Sequence, residues 1–137
     1  MNTKAPYNVS TPTASLALAA LSPEAVASMR QKLQSLITGR EWLLKQLSSL
    51  FPNDLGAAVG GNDANFIVVP VLEKDGSGKP DSARAHRIYK TLAEQQGVVV
   101  RYRGNEPGCA GCLRITIGTE QENQAVVDQF KEVFQKL

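Results

Sequence analysis

The spacing of hydrophobic positions switches repeatedly between a helical and a strand-like period. Val26, Met29, Leu33, Leu36, Ile37, Leu43, Leu44, Leu47 and Leu50 recur at helical intervals, which predicts one long amphipathic helix. Pro23 opens it behind Ser22, and Pro52-Asn-Asp54 ends it. A shorter helix precedes it, with Thr11 as N-cap, Pro12 as first helical residue and Leu21 near its end. The period then shortens. Asn65 to Leu72 is an apolar, β-rich run in which Pro70 points to an edge strand or a bulge. Asp75 to Pro80 is a turn-rich loop. Asp81 is placed to cap a helix carrying Ile88, Tyr89 and Leu92, closed by Gly97. Val98 to Arg101 reads as a second strand. Leu113 to Ile117 reads as a third, alternating strictly between large apolar and polar residues. Thr119 and Glu122 form a capping box before a last helix with Val126, Val127, Phe130, Val133 and Phe134 on one side.

The order α-α-β-α-β-β-α predicts an α+β fold, a small and largely antiparallel sheet with helices packed on it. Whether the first two strands run parallel is left open by the pattern. A chain of 137 residues that is 42% hydrophobic suits a single globular domain with a real core. The net charge of +2 comes from interspersed residues of both signs, which speaks against a nucleic-acid surface. No apolar stretch is long enough to span a membrane. The Ala/Leu-rich segment from Leu16 to Leu21 is too short, and its flanks too polar, for a signal peptide. These features lead to the expectation of a cytoplasmic protein.

Few residues carry obvious chemistry. Cys109-Ala-Gly-Cys112 has the spacing of a redox or metal motif, but it leads into a strand instead of opening a helix. A metal site would need further ligands, and His86 is the sole histidine. The stronger reading puts Cys112 at the core edge, Cys109 in a loop and His86 on the surface. Gly60-Gly61 lacks the lysine of a phosphate loop. Arg101 and Arg114 are more informative. The glycine- and proline-rich segment between them lets the chain fold back, so that paired strands bring both guanidinium groups to one rim. Two such forks suit phosphate or carboxylate. Surface ion pairs for the two arginines account for the spacing equally well.

Gly111-Cys-Leu-Arg-Ile-Thr-Ile-Gly-Thr119, followed by Glu122-Asn123, resembles the C-terminal signature of histidinol-phosphate aminotransferases. Ala5 to Pro12, Ala64 to Ile67 and Gly97 to Arg101 resemble other family segments in the same order, so the resemblance covers essentially the whole chain. It implies the C-terminal small domain of a fold-type I aminotransferase, residues 1–137, with 1–22 as the connecting segment from a missing large domain. The family uses pyridoxal phosphate to move an amino group between histidinol phosphate and 2-oxoglutarate, with glutamate as the other amino acid, and is usually homodimeric. By resemblance Arg114 binds the substrate anion, Arg101 is its partner at the phosphate, and Tyr7 lines the pocket. No lysine of the chain lies in the Ser-x-x-Lys context of the Schiff-base lysine. The isolated chain is therefore expected to hold no cofactor, to contribute no catalytic residue and to be inactive. The alternatives are the small domain of another pyridoxal-phosphate enzyme and a non-catalytic binding module.

Overall fold

A computed structural model of the chain describes residues 9–95, 98 and 100–137. Its elements follow the expected order. They are α1 (Thr11–Ala20), α2 (Pro23–Leu50), β1 (Phe66–Pro70), α3 (Ser82–Gln95), β2 (Arg101–Tyr102), β3 (Cys112–Thr116) and α4 (Glu120–Lys136). The chain forms two compact units, Met1–Ser35 and Leu36–Leu137.

In the first unit Ser10, not Thr11, caps α1. Its hydroxyl accepts from the Thr13 N–H at 3.4 Å. Pro12 moves to the second helical position, which costs nothing because first-turn N–H groups have no helical acceptor. Ser22 caps α2 as expected, accepting from the Ala25 N–H at 3.2 Å. No residue of α1 is buried, and Leu16, Leu18, Leu21, Met29 and Leu33 are all exposed.

The second unit holds the core. Its sheet has the order β1-β3-β2, with both pairings antiparallel. β1 and β2 therefore point the same way on either side of β3, which answers the question the sequence left open. One sheet face buries Ile67, Val69, Leu113 and Ile115 against Leu43 and Leu47 of α2, Ile88 and Leu92 of α3, and Val127, Phe130 and Val133 of α4. Each fully buried large side chain contributes about 1.5–3 kcal/mol. Pro70 sits on an edge strand as expected. The 55–59 segment runs along that edge, where the Gly56 N–H donates to the Pro70 carbonyl at 2.9 Å and the Val59 N–H to the Val68 carbonyl at 2.8 Å. The side of Pro70 that lacks an N–H faces this segment, so no ladder bond to β3 is lost.

All three strands differ from their expected bounds: β1 keeps Phe66–Pro70 of the 65–72 run, Val71 and Leu72 making only isolated bridges to Leu55 and Pro80, and β3 ends at Thr116. β2 is Arg101–Tyr102 and not 98–101; Val98 still donates to the Leu92 carbonyl at 3.1 Å, and Val100 turns into the core at 1% exposure. Val99 and the expected helix stop at Gly97 lie outside the described residues. β3 begins one residue early, because Cys112 already pairs with Pro70.

Arg84 is the largest of the fully buried side chains, at 1% exposure. Asp81 caps α3 by accepting from the Arg84 N–H at 2.8 Å. The guanidinium then donates to the Leu72 carbonyl at 2.8 Å, pairs with Asp54 and lies over the Phe134 ring at 5.4 Å from its centroid. One side chain thus links α3 to the end of α2, to the chain after β1 and to α4. We expect Arg84→Met, which keeps the bulk and removes the charge, to lower the unfolding free energy by about 3 kcal/mol, because Asp54 and the Leu72 carbonyl lose their partner. Urea denaturation would measure this; a loss under about 1 kcal/mol would show that the cluster is replaceable by packing.

Candidate functional site

The alternation of β3 decides where Arg114 goes. Leu113 and Ile115 face the helices, so Cys112, Arg114 and Thr116 face the other way, beside Phe66, Val68 and Pro70 of β1. On the opposite flank the register sets Arg101 directly across from Arg114. Directly opposed residues project to the same face with Cβ atoms roughly 4.5–5.5 Å apart. The pairing of β2 with β3 thus opposes the two arginines in the backbone, whereas the expectation was that their guanidinium groups share one rim.

The two heads occupy different surroundings. The Arg114 guanidinium lies over the Phe66 ring, 5.0 Å from its centroid, and its Nε is buried without a hydrogen bond. Arg101 is exposed and lines an open hollow of about 420 Å³ with His86, Tyr89, Tyr102 and Arg103. Among the described residues neither Arg101 nor Arg114 makes an ion pair, whereas Arg103 pairs with Glu106 at 2.6 Å. The surface ion-pair reading of the two arginines thus finds no partner there. Tyr7, the third expected site residue, lies outside the described residues.

The remaining candidates sit as their plainer readings had them. His86 is exposed, with its ring 5.4 Å from that of Tyr102 and 6.1 Å from that of Tyr89. Cys112 is buried at the start of β3 and Cys109 half-buried in the loop before it; both are free thiols. No cluster of potential metal ligands occurs among the described residues. Gly60 and Gly61 line a hollow of about 280 Å³ against Phe66 and Val68.

The turn from β3 into α4 explains the residues that follow Arg114. The Glu122 carboxylate accepts from the Thr119 N–H at 2.7 Å, and the Thr119 hydroxyl accepts from the Glu122 N–H at 3.3 Å. A Cβ on Gly118 would come within 2.5 Å of the Glu122 carboxylate, so glycine is required for the box to close. Asn123, buried at 2%, accepts from the Gly118 N–H at 3.0 Å and donates to the Gly118 carbonyl at 3.2 Å. This lock was not foreseen as structural. Its one signal in the sequence was an asparagine next to the capping glutamate, where the helix turns its apolar side inward.

The aminotransferase class I and II family model matches residues 1–130. The chain belongs to that family. This aminotransferase chain is 44% identical over 133 residues to the histidinol-phosphate aminotransferase of Schizosaccharomyces pombe, covering 97% of this chain and 34% of that protein. It is 42% identical over 134 residues to that of Saccharomyces cerevisiae, covering 98% and 33% respectively. The crystal structure of the histidinol-phosphate aminotransferase from Clostridium acetobutylicum superposes with a TM-score of 0.73 at 18% identity, over 98% of this chain and 36% of the other, which supports the α+β fold. The chain spans about a third of the length of these relatives.

Hydrogen bonds from the Thr119 backbone, and then its side chain, hold the Glu122 carboxyl below its ordinary value of 4.5. A lowered carboxyl stabilises the fold fully above that ordinary value and loses the contribution as pH falls through the folded-state value. The stability gap between the native chain and Glu122→Ala should accordingly be constant at neutral pH and shrink on acidification below about pH 4.5. Denaturant unfolding across a pH series would check it; a gap that persists unchanged at the acid end would contradict the carboxylate's role.

Proposed function

We propose that this chain is the C-terminal domain of a histidinol-phosphate aminotransferase, and that Arg114 and Arg101 clamp the anionic end of the substrate. The observation that carries this reading is the cross-strand arginine pair. Like charges placed directly opposite each other destabilise a sheet. Here neither has a carboxylate partner among the described residues, and the Arg114 Nε is buried unbonded. An anion bridging the pair relieves both costs. Histidinol phosphate offers a phosphate where glutamate offers a distal carboxylate, and a guanidinium fork accepts either. The 42–44% identity to the two yeast enzymes supports that substrate class.

The described lysines do not suit the anchoring of pyridoxal phosphate. All are exposed, whereas a Schiff-base lysine is activated by desolvation or a neighbouring cation in a pocket. In this reading the cofactor, which supplies the amino-transfer chemistry when bound, is held by the two thirds of the relatives' length that this chain does not span. The chain's own residues bind and orient the substrate anion, with Tyr7 lining the pocket. The whole protein acts as a cytoplasmic homodimer.

The test grafts this chain in place of the matching third of the S. pombe enzyme. Arg114→Ala should then lower kcat/KM for both histidinol phosphate and glutamate by about 30- to 1,000-fold, the equivalent of about 2–4 kcal/mol of charge-assisted hydrogen bonding. Arg114→Lys should recover part of the loss, since it keeps the charge without the fork. Arg101→Ala should penalise the dianionic phosphate more than the carboxylate. An Arg114→Ala effect within about twofold for both donors would remove the clamp from the mechanism.

A further inference from the structure

The position of Cys109-Ala-Gly-Cys112 ahead of a strand argues against a helix-activated catalytic thiolate. It does not argue against bond formation between the two sulfurs, for which their spacing is the first requirement. The Cys112 N–H donates to the Cys109 carbonyl at 2.9 Å, closing a turn over the four residues. Such a turn holds its end Cα atoms within about 7 Å, and disulfides span roughly 4.4–6.8 Å.

The turn is also fixed in place. The Cys109 N–H donates to the Glu106 carbonyl at 3.0 Å, the Gly111 N–H to the Ser82 hydroxyl at 2.9 Å, and the Val71 N–H to the Gly111 carbonyl at 2.9 Å. Gly111 has φ of +65°, and a Cβ there would meet Asp81, Pro80 and Val71 atoms at 3.1 Å. Little chain entropy remains to be lost when the sulfurs join. Access is asymmetric, for Cys109 is half-buried and Cys112 is 1% exposed.

We infer that Cys109 and Cys112 form a reversible disulfide across the β2–β3 turn when the protein meets a small-molecule disulfide such as oxidised glutathione. The Cys109 thiolate attacks one glutathione sulfur and releases a glutathione thiolate. Cys112 then loses its proton to solvent and attacks the Cys109 sulfur of the mixed disulfide, releasing the second glutathione. Two protein thiols are oxidised and one glutathione disulfide is reduced to two thiols. Burial, and then the neighbouring Cys109, push the Cys112 thiol up to about 11. The closing step is therefore slow at neutral pH, and Cys112 is a poor leaving group when an external thiol reopens the bond. The switch lies on the hairpin that carries Arg101 and Arg114.

The experiment treats the 137-residue chain with oxidised glutathione and follows intact mass and differential alkylation. The expected product has lost two hydrogens, carries no glutathione, contains no intermolecular disulfide and is restored by dithiothreitol. Its formation should speed up about tenfold per pH unit between pH 7 and 9, following the Cys112 thiolate fraction. Cys112→Ala should trap the mixed disulfide on Cys109. Cys109→Ser should leave Cys112 unmodified, and this variant alone decides the matter if Cys112→Ala fails to fold. Glutathione that persists on Cys109 of the native chain at about pH 9, a disulfide-linked dimer, or two thiols that stay free throughout would each overturn the inference.

Discussion

The two-residue period of β3 is the constraint on which the rest of the second unit depends. Leu113 and Ile115 are each at most 1% exposed, so the strand's inward set is fixed by the core. A slip of one residue would bring Arg114 into that core and put both aliphatic side chains in water. The hydrophobic effect therefore aims Arg114 without any contact to it. Pairing with β2 does the same for Arg101, since Leu113 opposite Tyr102 leaves Arg114 opposite Arg101. The candidate site is a by-product of a correctly registered core, which is why so small a sheet can hold it.

The connections around β3 keep that register from drifting. Before the strand, Gly111 passes between Val71, Pro80 and Asp81 with no room for a side chain. After it, Gly118 meets the capping box and Asn123 grips both polar groups of its backbone. Gly39 serves the same end from α2, where a Cβ would lie 3.0 Å from the Asn123 amide and 3.3 Å from Ile117. Mid-helix glycine costs about 1 kcal/mol against alanine, so its presence answers to this close approach and not to the helix. Backbone contact at both ends of β3 thus adds to the burial of Leu113 and Ile115 in positioning the arginines.

Most of this was legible because it follows from local rules. The α2 periodicity, the Asp81 cap, the Thr119–Glu122 box and the alternation of residues 113–117 each express one short-range preference, and each appears where the pattern put it. The edge position of Pro70 was readable for the same reason. The departures arose where tertiary packing overrode the local signal. Val98 and Val100 have strand composition, yet Val100 is drawn into the core instead of the ladder. Arg84 and Arg87 look alike in the sequence, three residues apart on one helix, but the first is buried and the second exposed. Only the meeting of Asp54, Leu72 and Phe134 around one point distinguishes them, and no spacing rule contains it. The same holds for the ring of Phe66 under Arg114, which belongs to a strand nearly fifty residues away in sequence.

The arginines of this unit differ in how their charge is compensated, and the difference bears on function. Arg84 is taken out of water and given a carboxylate, a carbonyl and an aromatic face. Arg103 stays half in solvent with Glu106. Arg114 is half-buried over the Phe66 ring, and neither it nor the exposed Arg101 across from it makes an ion pair among the described residues. Burial of a charge without a counter-charge is unfavourable, and a ring face offsets about 0.5–2 kcal/mol of it. An ion-pair partner would remove the cost for Arg114 but would also compete with any incoming anion. Leaving the charge uncompensated keeps the fork free at the expense of stability, whereas the two terminal nitrogens of Arg84 tie the helices together even though its Nε, like that of Arg114, is buried without a hydrogen bond.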